Sequence, residues 1–110
     1  MKELKNIEYF IFDLDGTCYL QLEEVFGQVS KRMGEFISTK LNVDLKKAKE
    51  IQKEYFHKYN TTLNGLILNN KVDAHEFLKY VHDIDISFLK KDKILREELI
   101  KLKAKKYIFT

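Results

Sequence analysis

The chain has 110 residues, enough for one small domain with a modest core. Hydrophobic residues make up 45% and charged residues 34%, a globular balance that excludes a disordered chain. The net charge of +3 comes from lysines interleaved with Glu and Asp, a solvated surface that argues against polymeric nucleic acid as partner.

The first predicted element is a strand over Ile7 to Phe12, because Tyr9-Phe10-Ile11-Phe12 is a continuous aromatic and β-branched run. Such a run suits a parallel strand covered on both faces. It ends at Asp13-Leu14-Asp15-Gly16-Thr17, a polar turn with a glycine. Helical periodicity follows: Val25, Val29, Met33, Phe36 and Leu41 recur every three to four residues, with Lys31, Arg32, Glu35 and Lys40 opposite. Asn42-Val43-Asp44 breaks that helix, and Asp44 caps a second with Ala48, Ile51, Tyr55 and Tyr59 on its apolar face. The stretch from Asn60 to Gly65 reads as a loop, followed by Leu66-Ile67-Leu68 and a turn at Asn69-Asn70. Asp73 with Glu76 is a capping-box variant opening a short helix to about Val81. Asp92 caps a last helix carrying Ile94, Leu95, Leu99 and Leu102, and Lys106 to Thr110 begins a second strand.

The order is strand, helices, strand. Two strands joined by a helical crossover lie parallel in one sheet, and one helix suffices for the crossover. The chain is therefore expected to be α/β, the first two strands of a Rossmann-like parallel sheet with an inserted all-helical cap, and mostly helical. Residues 1–19 and 89–110 are assigned to a partial α/β core and residues 20–88 to the cap. The sequence stops inside what reads as a buried strand, so an N-terminal piece of a longer protein is expected.

One cysteine, Cys18, excludes an internal disulfide framework and suits a reducing compartment. Nothing in the placement of His57, His75 and His82 would activate it, so it is expected to be a small apolar filler; their spacing also argues against zinc. The N-terminus is not a signal peptide and no stretch approaches the roughly 20 apolar residues of a membrane span. No membrane partner is expected, and the expected compartment is cytoplasmic.

Asp13 and Asp15 stand at the C-terminal end of the first strand, where open α/β sheets place their ligand sites. Two close carboxylates at a glycine-permitted turn can hold a hard divalent cation, or divide metal binding and proton transfer between them. Gly16 lets the backbone approach a phosphate closely, and Thr17 offers a hydroxyl and an amide there. A calcium loop is excluded, because Cys18 stands where the loop needs glycine and a strand precedes it. A plain acidic turn and a receiver-like phosphoryl-accepting pocket remain as alternatives.

Phe10-Ile11-Phe12-Asp13-Leu14-Asp15-Gly16-Thr17 resembles the first motif of the haloacid dehalogenase superfamily, hydrophobic residues leading into Asp-x-Asp-Gly-Thr. Tyr107-Ile108-Phe109-Thr110 is similar to its second motif, a strand ending in Ser or Thr. The resemblance implies a phosphate-monoester hydrolase with Asp13 as nucleophile, forming an aspartyl-phosphate. It implies Asp15 as general acid and base, and Mg²⁺ held by the Asp13 carboxylate and the Asp15 backbone carbonyl. Thr110 would hydrogen-bond a phosphate oxygen. The lysine and acids of the later motifs would lie beyond Thr110, so the 110 residues alone are expected to be inactive.

Asp15-Gly16-Thr17-Cys18-Tyr19, Tyr59 to Leu66 and Phe77 to Asp85 look like the pyrimidine 5′-nucleotidase branch, implying a nucleoside 5′-monophosphate as substrate. Leu20 and Asn60 depart from that branch, where proline and glycine are common. Thr62 and Asn64 are candidates for contacts to base or sugar, or equally for capping between helices. A sugar-phosphate or phosphoglycolate phosphatase, a phosphomutase, and a non-catalytic helical interaction module are the alternative readings.

Overall fold

A computed structural model describes residues 5–110 as a mixed α/β chain. Its elements are β1 (Tyr9–Asp13), α1 (Leu22–Leu41), α2 (Leu45–Tyr59), α3 (Thr62–Asn70), α4 (Ala74–Val81), α5 (Lys93–Lys101) and β2 (Lys105–Phe109). Contacts divide it into two units, one taking the chain up to Glu23 and again from Ile86 to Thr110, the other Glu24–Asp85. Among the described residues no helix is long and apolar enough to cross a membrane.

In the first unit β1 and β2 form a parallel pair, in register from Tyr9 opposite Lys105 to Asp13 opposite Phe109. Alternation places Tyr9, Ile11, Tyr107 and Phe109 on one face, where the Tyr9 and Tyr107 rings stand 6.2 Å apart. The burial expected of these apolar runs is not met within this chain. Ile11 is 71% and Phe109 76% exposed, and β2 is exposed along its whole length. The continuous apolar pattern matches a strand with neighbours and helices on both sides. Two strands and the short helix α5 cannot supply them.

The second unit carries the core. Val29, Phe36, Ile37, Ala48, Leu66, Val72, Phe77 and Val81 are the buried hydrophobics among the described residues, and all lie in it. Phe36 and Phe77 meet edge to face at 5.1 Å, joining α1 to α4. Burying the Phe77 side chain, 1% exposed, stabilises by roughly 2–3 kcal/mol. Arg32 reinforces the same pair of helices: its guanidinium lies 4.2 Å from the Tyr80 ring centre, and its Nε donates to the Tyr80 carbonyl at 2.7 Å.

The helix starts follow the predicted caps. Asp44, Asp73 and Asp92 accept from the amides of Lys47, Glu76 and Leu95. The capping box at Asp73 is only half formed, since the Glu76 carboxylate turns to the Lys40 ammonium at 2.9 Å. With no proline in the sequence, left-handed residues mark the ends of three helices: Asn42 (φ 54°), Asn60 (φ 67°) and Lys71 (φ 53°).

One element differs from expectation. The stretch read as a loop and a turn is the helix α3. Thr61 is its N-cap, accepting from the Asn64 amide at 3.0 Å, and Asn69 donates to the Gly65 carbonyl within it. Thr and Asn serve caps as readily as turns, and Gly65 is needed where α3 closes on α2. Composition therefore concealed the helix.

Candidate active site

The turn after β1 is tied to the strand by its own backbone. The amides of Thr17 and Cys18 both donate to the Leu14 carbonyl, at 3.2 and 2.9 Å. Gly16 has φ +74°, a left-handed conformation that costs other residues roughly 1–2 kcal/mol. A Cβ there would meet nothing nearer than Leu22 at 3.6 Å, so backbone conformation and not space selects the glycine.

Each acid of the pair has its own hydroxyl. The Thr17 Oγ1 donates to Asp13 Oδ2 at 3.2 Å, and the Tyr19 phenol donates to Asp15 Oδ1 at 2.5 Å. Asp13 Oδ1 has no hydrogen-bond partner among the described residues. On its other side Asp15 meets the end of β2, with Thr110 Oγ1 3.5 Å from Asp15 Oδ2, at the outer limit of a hydrogen bond. Residues 95 positions apart thus meet because the parallel register brings both strand ends to the same edge. The Asp15 carboxylate pushes the Tyr19 phenol up to about 12, chiefly through that hydrogen bond, with burial and the negative charge acting in the same direction.

Asp13, Asp15, Gly16, Thr17 and Thr110 therefore gather in one place. The Thr17 amide is already spent on the turn, which leaves its hydroxyl as the more available group. Thr62 and Asn64 lie in the other unit, and both side chains are engaged. The Thr62 hydroxyl, 5% exposed as a residue, donates to the Gln52 carbonyl at 3.0 Å. The Asn64 amide donates to the Tyr59 carbonyl at 3.1 Å. These bonds fasten α3 to α2, and a ligand contact would have to replace them. Cys18 donates weakly to the Asp13 carbonyl, with Sγ at 3.4 Å, and lines a hollow of about 260 Å³ with Tyr19, Leu89 and Leu95. A small, partly buried filler fits that position.

The residue that sequence reasoning passed over is Tyr19. The available signal was its spacing: four positions beyond Asp15 across a tight turn, the two residues form an isolated backbone bridge that brings the phenol back onto the carboxylate.

The turn offers oxygen donors to a divalent cation. Among the described residues no group of three or more His, Cys, Asp or Glu side chains could enclose a metal. The Asp13 carboxylate and Asp15 carbonyl are two hard oxygen donors, and Mg²⁺ commonly takes one or two carboxylates and completes its shell with water and substrate phosphate. In kind, though not in number, these donors suit Mg²⁺.

No family model matches this sequence. It is similar to Phosphate metabolism protein 8 of Saccharomyces cerevisiae (strain ATCC 204508 / S288c), 34% identical over 102 residues covering 88% of this chain. The chain spans 31% of the length of that yeast protein.

Proposed function

We propose that this chain contributes the nucleophile end of a Mg²⁺-dependent phosphate-monoester hydrolase of the haloacid dehalogenase superfamily, with a pyrimidine nucleoside 5′-monophosphate as substrate. The observation that carries the reading is the meeting of Asp13, Asp15 and Thr110 at the C-terminal edge of a parallel strand pair. The similar yeast protein is named for phosphate metabolism, which agrees with a phosphate-handling role and says nothing of the substrate.

The chemistry follows from the residues. An Asp13 carboxylate oxygen attacks phosphorus while the bond to the ester oxygen breaks, leaving an aspartyl-phosphate. Asp15 gives its proton to the departing oxygen, so the product leaves as an alcohol. Water then attacks phosphorus, Asp15 takes the water proton, and Asp13 is released with inorganic phosphate. Thr17 orients Asp13 through Oδ2, and Thr110, whose hydroxyl lies 3.5 Å from Asp15 Oδ2, would turn to donate to a phosphate oxygen. Mg²⁺ held by the Asp13 carboxylate and the Asp15 carbonyl would neutralise charge on the transferring group. A lysine and further acids are still required, and removing one such stabilising group typically costs about a hundredfold or more, so the 110 residues alone should not turn over.

The test is a Mg²⁺-dependent phosphate-release panel on the full-length protein, with UMP, CMP, phosphoglycolate and hexose phosphates as substrates. UMP and CMP should rank first. A panel in which nucleotides rank last would reject the nucleotide substrate, and no release from any monoester would reject the phosphatase reading.

A further inference from the structure

A carboxylate on a partly exposed turn ordinarily samples several rotamers, and a group that exchanges protons at a fixed point cannot afford that freedom. Asp15 is the partly exposed carboxylate assigned to proton transfer, and the turn restrains it by a specific device. A parallel backbone bridge carries the chain through one turn and sets Tyr19 beside Asp15, and the phenol, a rigid side chain with two rotatable bonds, donates to Oδ1 at 2.5 Å. Oδ2 is left directed toward the end of β2, where Thr110 Oγ1 lies 3.5 Å away.

We propose that Tyr19 is a positioning residue: its hydroxyl fixes Asp15 Oδ1, so that Oδ2, on the side of Thr110, is the oxygen that carries the proton. This rests on the phosphohydrolase reading above. The proton on Oδ2 passes to the ester oxygen as the phosphorus–oxygen bond breaks and its electron pair stays on oxygen. In the second step Oδ2 takes the proton of the water whose oxygen bonds to phosphorus. The Tyr19 proton stays on the phenol throughout. A residue that merely stapled the loop would influence every substrate alike. A residue acting through Asp15 influences most the esters whose leaving oxygen needs a proton.

The test uses that difference. In the full-length protein, Tyr19→Phe should lower kcat for UMP about ten- to a hundredfold while KM changes by less than about threefold. The pre-steady-state burst of nitrophenolate from 4-nitrophenyl phosphate should keep its rate within about threefold, because that leaving group departs without a proton. A second measurement needs no turnover. With ¹³Cζ-labelled tyrosine in the full-length protein, the Tyr19 signal should move in Asp15→Asn, where the carboxylate acceptor is gone. Equal slowing of UMP turnover and the nitrophenolate burst would overturn the proposal, as would unchanged kcat or an unmoved Tyr19 signal. Absence of turnover in the unsubstituted protein would instead refute the phosphohydrolase reading and the catalytic role with it, while the labelled-tyrosine spectrum still decides the Tyr19–Asp15 contact.

Discussion

Adding one methyl group at Gly65 should destabilise the helical unit, although the same change inside an ordinary helix stabilises it. An ideal Cβ at Gly65 would stand 2.4 Å from Tyr55 Cγ, 2.5 Å from Tyr55 Cβ and 2.6 Å from Tyr55 Cδ2. Carbon atoms settle at about 3.5–4.0 Å, so the helices α2 and α3 would have to separate by about 1 Å. Turning the ring gives no relief, because the two nearest atoms are at its root. Overpacking of this kind costs about 1–3 kcal/mol, against which alanine gains about 1 kcal/mol over glycine in helix propensity. Separation also loosens Leu66 and Thr62, buried on the same helix, which puts the cost toward the upper end of that range and the net loss at about 1–2 kcal/mol. Gly27 in α1 is the matched control: a Cβ there meets nothing within 4 Å, and Gly27→Ala should stabilise by up to about 1 kcal/mol. Urea denaturation of the 110-residue chain, followed by far-ultraviolet circular dichroism, compares the midpoints. The two substitutions should shift them in opposite directions. Stabilisation by Gly65→Ala equal to that by Gly27→Ala would refute the account of how α3 is seated on α2.

Removing the cap of α4 by Asp73→Ala should cost about 1 kcal/mol in the same assay, because the Glu76 amide loses its acceptor at 2.9 Å. Lys40→Met should cost under about 1 kcal/mol, since the Lys40–Glu76 pair is half exposed on both sides, and a larger loss would show that the pair does more than a surface ion pair does. Burial holds the Tyr55 phenol above its ordinary value, with neighbouring Tyr59 and Glu54 adding to the effect and Lys58 opposing it. The folded unit therefore keeps that proton longer than the unfolded chain. Its contribution to stability is intact below pH about 10 and is lost as the pH rises through the folded value. Between pH 8 and 11 Tyr55→Phe should lose less stability than the unsubstituted chain, and equal losses would contradict that assignment.

The elements governed by one local signal were legible in the sequence. Asp44, Asp73 and Asp92 cap the helices that follow them because a side-chain oxygen reaching an amide three residues on is a purely local event. The strand before Asp13 and the acid pair after it were legible for the same reason, and the parallel pairing of the two strands follows from their helical connection. What could not be read needed a contact with a distant or differently oriented residue. The helix at Thr62–Asn70 depends on Gly65 lying against Tyr55, which its polar composition does not announce. The engagement of Thr62 with the Gln52 carbonyl is likewise a product of packing. Burial of the strands was read from their apolar character, but burial is supplied by neighbouring elements and not by the strand itself. Tyr19 was overlooked because its reach to Asp15 is set by the shape of the turn.

On the proposed mechanism Asp13 forms a covalent bond to phosphorus, which acid-quench labelling detects. The full-length protein, mixed with a ³²P-labelled phosphate monoester and Mg²⁺ and quenched within a turnover, should carry acid-stable, hydroxylamine-sensitive label on the peptide holding Tyr9 to Tyr19. Asp13→Asn keeps the size of the side chain and removes its nucleophilic charge, so it should carry no label and show no turnover. Rapid hydrolysis with no protein-bound phosphate, or undiminished hydrolysis by Asp13→Asn, would rule out Asp13 as the nucleophile.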